Sequence, residues 1–147
     1  MDPAASSNLS HLYRETILQH AHHPIGFRKV IRETHRCELY NPLCGDRILI
    51  MLEIDDALVI DAAFDGEACV ICRASASLLC EQAPDRSMDE LRETHRWLEL
   101  ALQDDEYPTD GEALLPLLGV RRYPSRVKCA LLPWEAFVEA LKGHQQG

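Results

Sequence analysis

The sequence predicts an α+β fold, with a small three-stranded antiparallel sheet packed by about five helices. Three observations carry that prediction. Two runs rich in branched residues, 47–54 and 58–64, are separated by only Asp55, Asp56 and Ala57, which is a hairpin pattern. Apolar residues before and after these runs recur at helical spacing instead of alternating. Capping signatures stand in front of the later helical segments.

The elements follow in order. Over residues 9–20, Leu9, Leu12, Tyr13, Ile17 and Leu18 keep helical spacing. Pro24 ends that helix, because a proline pushes the residue before it out of the helical region. Residues 36–40 read as a short strand, and the two stronger strands follow. Gly66 breaks the strand pattern, and residues 69–82 read as a helix. In the helix at 87–102, Ser87 and Glu90 form a capping box. Leu91, Thr94, Leu98 and Ala101 make its stripe, with His95 and Leu102 beside it and Trp97 off it. Thr109 and Glu112 repeat the capping signature before a short helix ending at Gly119. A last helical stretch starts near Pro124, breaks at Pro133 and resumes through Leu141, with Pro133 opening the second segment. No repeat and no Gly/Ser linker divides the chain. Residues 1–147 read as one domain with disordered ends at 1–8 and 143–147.

Composition limits the function. The 147 residues include 24 acidic and 15 basic ones, a net charge of −9. A negative chain is a poor partner for nucleic acid, where a basic surface must displace counterions. No run approaches the ~18 apolar residues of a membrane span. The length suffices to bury roughly two-thirds of the unfolded surface, so folding needs no disulfide staples. The start, MDPAASSNLS, lacks the basic and apolar blocks of a secretory signal, so the expected compartment is the cytoplasm and Asn8-Leu9-Ser10 is a chance glycosylation pattern. Six cysteines in a reducing compartment point to metal or thiol chemistry.

The hairpin makes a spatial prediction. Antiparallel pairing about a turn near Asp56 sets Asp46 opposite Asp65 or Gly66. Cys44 and Asp46, just before one strand, and Cys69, just after the other, then share one end of the sheet. Cys69 opens a helix, whose positive end favours a thiolate. Cys129 stands beside Lys128 and near Arg126, cations that also favour a thiolate. Strand pairing does not place Cys129 near the other three.

Four stretches together carry a resemblance: Asn41-Pro42-Leu43-Cys44-Gly45-Asp46, Phe64-Asp65-Gly66-Glu67-Ala68-Cys69-Val70-Ile71, Ala74-Ser75-Ala76-Ser77, and Arg126-Val127-Lys128-Cys129-Ala130. With Leu12-Tyr13-Arg14 and Trp134, the chain resembles the NifU/IscU/SufU family of iron–sulfur cluster assembly over residues 11–141. The resemblance implies the SufE/NifU N-terminal fold. Lys128 stands where the IscU branch has histidine, and Cys69 to Cys129 spans 60 positions, longer than in that branch. Both features resemble the SufU branch, with the extra length between Ala83 and Gly111. The resemblance implies zinc held by Cys44, Asp46, Cys69 and Cys129, a sensible set of three thiolates and one carboxylate. It further implies transfer of persulfide sulfur from a PLP-dependent cysteine desulfurase, with Cys44 displaced from zinc by a desulfurase histidine to act as the acceptor. The family's alternative is a scaffold carrying iron or an iron–sulfur cluster on the same cysteines. Downstream iron–sulfur assembly proteins are the implied further partners. As the hard ligand among soft ones, Asp46 would tune how readily the ion is released. Two positions depart from the family: Ala68 stands where glycine is usual, and Cys72 where serine is usual.

Other readings stay beside these. The four residues could be a purely structural zinc site, or buried cysteines with a turn aspartate. Cys69-Val70-Ile71-Cys72 has redox-pair spacing, but lacks the βαβ setting of such pairs. Cys72, one helical turn from Cys69, reads as core or as an alternative ligand; Cys37 and Cys80 read as core. His20, His22 and His23 read as a solvated loop more than a metal cluster, and His35 and His95 carry no signal. Arg126 and Lys128 read equally as partner contacts or as a solvated helix face. Leu91, Leu98, Leu102, Trp97 and Trp134 read as core more than interface.

Overall fold

The computed structural model describes residues 3–103 and 112–142, with side chains of the first helix described from His11. The chain runs α1 (Pro3–His22), β1 (His35–Asn41), β2 (Asp46–Asp55), β3 (Leu58–Glu67), α2 (Val70–Gln82), β4 (Arg86–Ser87), α3 (Met88–Gln103), a 3₁₀ helix (Glu112–Val120) and α4 (Pro124–Leu141). The sheet is antiparallel in the order β1-β2-β3-β4. It therefore has four strands among the described residues, where the sequence predicts three. The added strand is two residues long, pairing Arg86 and Ser87 with Val59 and Leu58. Two residues leave no alternation to read.

Alternation in β2 turns Asp46, Ile48, Ile50 and Leu52 inward, all buried, while Arg47 faces solvent. From β1, Cys37 and Asn41 join that inner face. α4 packs across β1 and β2, and α2 packs against β3, α4 and α1. One face of the sheet is thus covered by helices, as an antiparallel sheet allows. Ile48, Ile50, Leu52, Leu79, Leu98, Trp134 and Phe137 fill the layer between. Fully burying each large side chain contributes roughly 1.5–3 kcal/mol.

The hairpin turn is tighter than a turn centred on Asp56. Asp56 and Ala57 both have positive φ, 50° and 66°, and Asp55 pairs with Leu58. A bulge between Glu53 and Ile54 then shifts the register, so that Arg47 faces Glu67 and Ile48 faces Gly66. The pairing is offset from the expected one of Asp46 with Asp65 or Gly66, and the end of β3 reaches further toward Cys69. Gly66 makes the closest approach. At φ +132°, an added Cβ would lie 2.1 Å from the Arg47 carbonyl oxygen.

Other boundaries also differ. α1 begins at Pro3 rather than near Leu9, and 143–147 lie outside the described residues. Ile17 and Ala21 of α1 are buried, but Leu12 and Leu18 of its expected stripe are exposed. The α3 capping box forms: Glu90 N–H donates to Ser87 Oγ at 3.1 Å, and Ser87 N–H reaches Glu90 Oε1 at 3.5 Å. Trp97 is buried at 7% exposure, in keeping with its reading as core, although it lies off the stripe, so the buried face of α3 is wider than that stripe. The short helix after Thr109 is a 3₁₀ helix running to Val120, with Pro116 inside it; Thr109 itself lies outside the described residues. α4 runs unbroken through Pro133, against the predicted break. Proline there removes the bond to the Cys129 carbonyl. The neighbouring Ala130 carbonyl accepts from Ser75 Oγ of α2 at 2.5 Å, and Pro133 is itself buried, so packing holds the helix together.

Candidate metal centre

Cys44 is placed by the turn that joins β1 to β2. Asn41 and Asp46 pair across its mouth. The Asn41 side-chain oxygen accepts from Leu43 N–H at 3.0 Å, and the Asn41 carbonyl accepts from Gly45 N–H at 2.8 Å. Gly45 has φ +75° with open space around it, so its need for glycine is conformational. This turn presents Cys44 to solvent. Asn41 and Gly45 therefore build the site without contributing a donor. An asparagine before proline with a glycine three further on is the turn signal that could have found them.

Asp46 opens β2 on its inner face, at only 3% exposure. Its carboxylate is satisfied on both oxygens. Cys69 N–H donates to Oδ1 at 2.8 Å, and the Cys44 thiol donates to Oδ2 at 3.1 Å. Burial opposes ionisation of this group. The hydrogen bonds from Cys44, the Cys69 backbone, Cys129 and Cys69 outweigh it and hold the carboxyl below its ordinary value near 3.8.

Cys69 is the N-cap of α2, extended at φ −68° and ψ 169°, and its Sγ accepts from Cys72 N–H at 3.4 Å. Ala68, just before it, is not among the residues of positive φ, so alanine fits where the family has glycine. Cys129 comes from the second turn of α4. The Ser75 contact to Ala130 and the packing of α4 on β1 and β2 bring it to the same end of the sheet. Its thiol lies 3.6 Å from Cys44 Sγ. Donor atoms of Cys44, Asp46 and Cys129 all lie within 4.8 Å of one another. Cys69 adjoins this trio through its backbone N–H on Asp46 Oδ1, but its sulfur is not among the three donors gathered there.

The donor set suits a single ion. Tetrahedral zinc with Zn–S near 2.3 Å separates two sulfurs by about 3.8 Å, close to the Cys44–Cys129 distance. One expectation about Cys129 fails. Lys128 and Arg126 do not favour a Cys129 thiolate, since both side chains are exposed. Burial first, then hydrogen bonding to Asp46 and Cys44, pushes the Cys129 thiol up instead.

The remaining candidates sort clearly. Cys37, Cys72 and Cys80 are buried. Cys72 follows Cys69 in α2, its N–H donating to Cys69 Sγ at 3.4 Å, and burial pushes its thiol up. His20 accepts from or donates to Ser77 Oγ at 2.7 Å, packing α1 on α2. Arg126 lines a cavity of about 460 Å³ with Val70, Ile71, Val120 and Tyr123, next to Cys69 and one turn before Cys129. No described helix is long and apolar enough to cross a membrane.

Comparison with known proteins agrees with this architecture. Residues 12–109 match the NifU-like N terminal domain. The chain is 31% identical over 144 residues to the zinc-dependent sulfurtransferase SufU of Bacillus subtilis, covering 97% of each chain. It is 33% identical to the iron–sulfur cluster assembly scaffold protein IscU of Streptococcus pyogenes, over 94% of this chain and 87% of that one. In structure it is similar to a NifU-like protein N-terminal domain from Brucella abortus, with a TM-score of 0.82 over 92% of this chain and 95% of that one, at 22% identity. The chain belongs to the NifU-like N-terminal domain family.

Proposed function

We propose that this protein is a zinc-dependent sulfurtransferase of iron–sulfur cluster assembly, accepting persulfide sulfur from a PLP-dependent cysteine desulfurase. Cys44, Asp46, Cys69 and Cys129 are the proposed zinc ligands. The observation that carries the reading is the asymmetry of the donor set: Cys44 is exposed while Asp46 and Cys129 are buried. Bound zinc would keep thiols deprotonated at neutral pH. Asp46, Cys69 and Cys129 then hold the site while Cys44, at the tip of its turn, meets a docked donor. The Cys44 thiolate attacks the outer sulfur of the donor persulfide. The sulfur–sulfur bond of the donor breaks, its cysteine leaves as thiolate, and Cys44 carries the persulfide. Exposed Leu43 beside Cys44, and the open cavity beside Cys69, offer apolar surface for that docking. The similarity to SufU and Lys128 in place of histidine support this role.

The second reading is a scaffold that assembles an iron–sulfur cluster on the same ligands, and the similarity to IscU favours it. Metal analysis of freshly purified protein separates the two. Transfer predicts a colourless protein with one zinc; a scaffold predicts visible absorbance with iron and sulfide. Alanine production from cysteine by the desulfurase should rise when this chain is added and should not rise with Cys44→Ala. Unchanged turnover with the unaltered chain would remove the acceptor role.

A further inference from the structure

We propose that Cys44 and Cys129 join as a reversible disulfide when a peroxide reaches Cys44, and that this closes the site to sulfur and metal; the second half rests on the metal reading above. The two sulfurs lie 3.6 Å apart, from residues 85 positions apart in the chain. A disulfide needs about 2.05 Å, so they must close by roughly 1.5 Å. The turn that carries Cys44 has room for that movement, since a Cβ added at Gly45 would meet nothing within 4 Å. Exposure separates the roles of the pair. Cys44 is exposed, while Cys69 is half-buried and the other four cysteines are buried, so Cys44 meets a dissolved oxidant first. Cys129, at 2% exposure, is shielded from solvent and stands behind it as the resolving thiol. Cys69 does not take that part, because its sulfur is outside the gathered donors and caps α2 by accepting from Cys72 N–H.

A path for the protons is also in place. The Cys129 thiol donates to Cys44 Sγ, and the Cys44 thiol donates to Asp46 Oδ2 at 3.1 Å. The Cys44 sulfur attacks one oxygen of hydrogen peroxide. The oxygen–oxygen bond breaks, and a sulfur–oxygen bond forms, giving a sulfenic acid. The thiol proton passes by way of Asp46 to the departing hydroxide, which leaves as water. The Cys129 sulfur then attacks the Cys44 sulfur. A sulfur–sulfur bond forms, the sulfur–oxygen bond breaks, and the Cys129 proton leaves with the hydroxyl as a second water. The two thiols together lose two electrons, and the peroxide gains them. A dithiol reductant reverses the bond by thiol–disulfide exchange. The oxidised chain has spent its exposed sulfur acceptor and a buried ligand at once. Asp46 and Cys69 remain, two donors where a tetrahedral ion takes four.

The test uses the unaltered full chain, stripped of metal by a chelator, and an equimolar amount of hydrogen peroxide. Remaining thiols are alkylated, and the chain is digested with trypsin without reductant. Mass spectrometry should find peptide 37–47 joined to peptide 129–142, with Cys37 alkylated. Zinc taken up in equilibrium dialysis should fall at least ~10-fold after oxidation, since losing even a group that supports a ligand costs that much. Dithiothreitol should restore it. Cys44 joined to Cys69, or Cys44 oxidised with no partner thiol, would overturn the proposal. So would an oxidised chain that holds zinc as well as the reduced one. A reduced chain that takes up no zinc would overturn the metal reading instead. The joined peptides are scored separately from zinc, so the two failures are distinguishable.

Discussion

Replacing Asp46 by alanine removes the one group that ties the two ends of the site together. Its Oδ1 accepts from Cys69 N–H at 2.8 Å, and its Oδ2 accepts from the Cys44 thiol at 3.1 Å. In the variant, the part-buried Cys69 N–H at the start of α2 loses its acceptor. Leaving such a donor unsatisfied costs about 1–3 kcal/mol. For a chain of this length the Tm should fall by roughly 2–4 °C per kcal/mol, so by about 4–8 °C for a loss near 2 kcal/mol. The effect has a pH signature. The carboxyl of Asp46 is held below its ordinary value near 3.8, so its contribution is complete above that pH. It is lost as pH falls through the lower folded value. Thermal melts of metal-free protein, followed by circular dichroism from pH 7 into acid, should show the gap between the unaltered chain and Asp46→Ala closing below about pH 4. Asp46→Asn retains an acceptor for Cys69 N–H but no charge, and should fall between the two. An Asp46→Ala chain as stable as the unaltered one at pH 7, or a gap that widens in acid, would refute the reasoning.

Three other outcomes follow from particular contacts. Gly66→Ala forces a Cβ to 2.1 Å from the Arg47 carbonyl oxygen and should destabilise by about 2 kcal/mol or more, read from a lower urea midpoint. Ala57→Gly relieves a non-glycine residue at φ 66° and should stabilise by about 0.5–1 kcal/mol, raising Tm by roughly 1–4 °C. Zinc uptake should release protons, because Cys129 holds its proton firmly in the metal-free chain. Affinity should therefore weaken as pH falls, and the calorimetric enthalpy should change with the ionisation enthalpy of the buffer.

Much of this arrangement is legible in the residues, and the limits have physical causes. The hairpin could be read because branched residues flank a short polar turn, and that alone brings Cys44, Asp46 and Cys69 to one end of the sheet. Its register could not be fixed, because the positive-φ pair Asp56 and Ala57 and the bulge after Glu53 leave no mark on hydrophobic alternation. Strand β4 was too short to show a period. The Pro133 break was the local rule for proline, overridden when α4 found the sheet and the Ser75 hydroxyl to pack against. Cys129 was beyond local reasoning altogether, since its place depends on how α4 lies over β1, β2 and α2. The same packing explains why its thiol is pushed up: burial outweighs the cations nearby in sequence, which project into solvent.

The most direct test of the account is to find where the sulfur goes. The zinc-loaded chain would be incubated with a PLP-dependent cysteine desulfurase and cysteine, its persulfides trapped by alkylation, and its peptides mapped by mass spectrometry. The account predicts one added sulfur atom on the peptide carrying Cys44, with Cys69 and Cys129 unmodified and zinc retained. Sulfur appearing first on Cys69 or Cys129, or none on Cys44 while the desulfurase turns over, would contradict it.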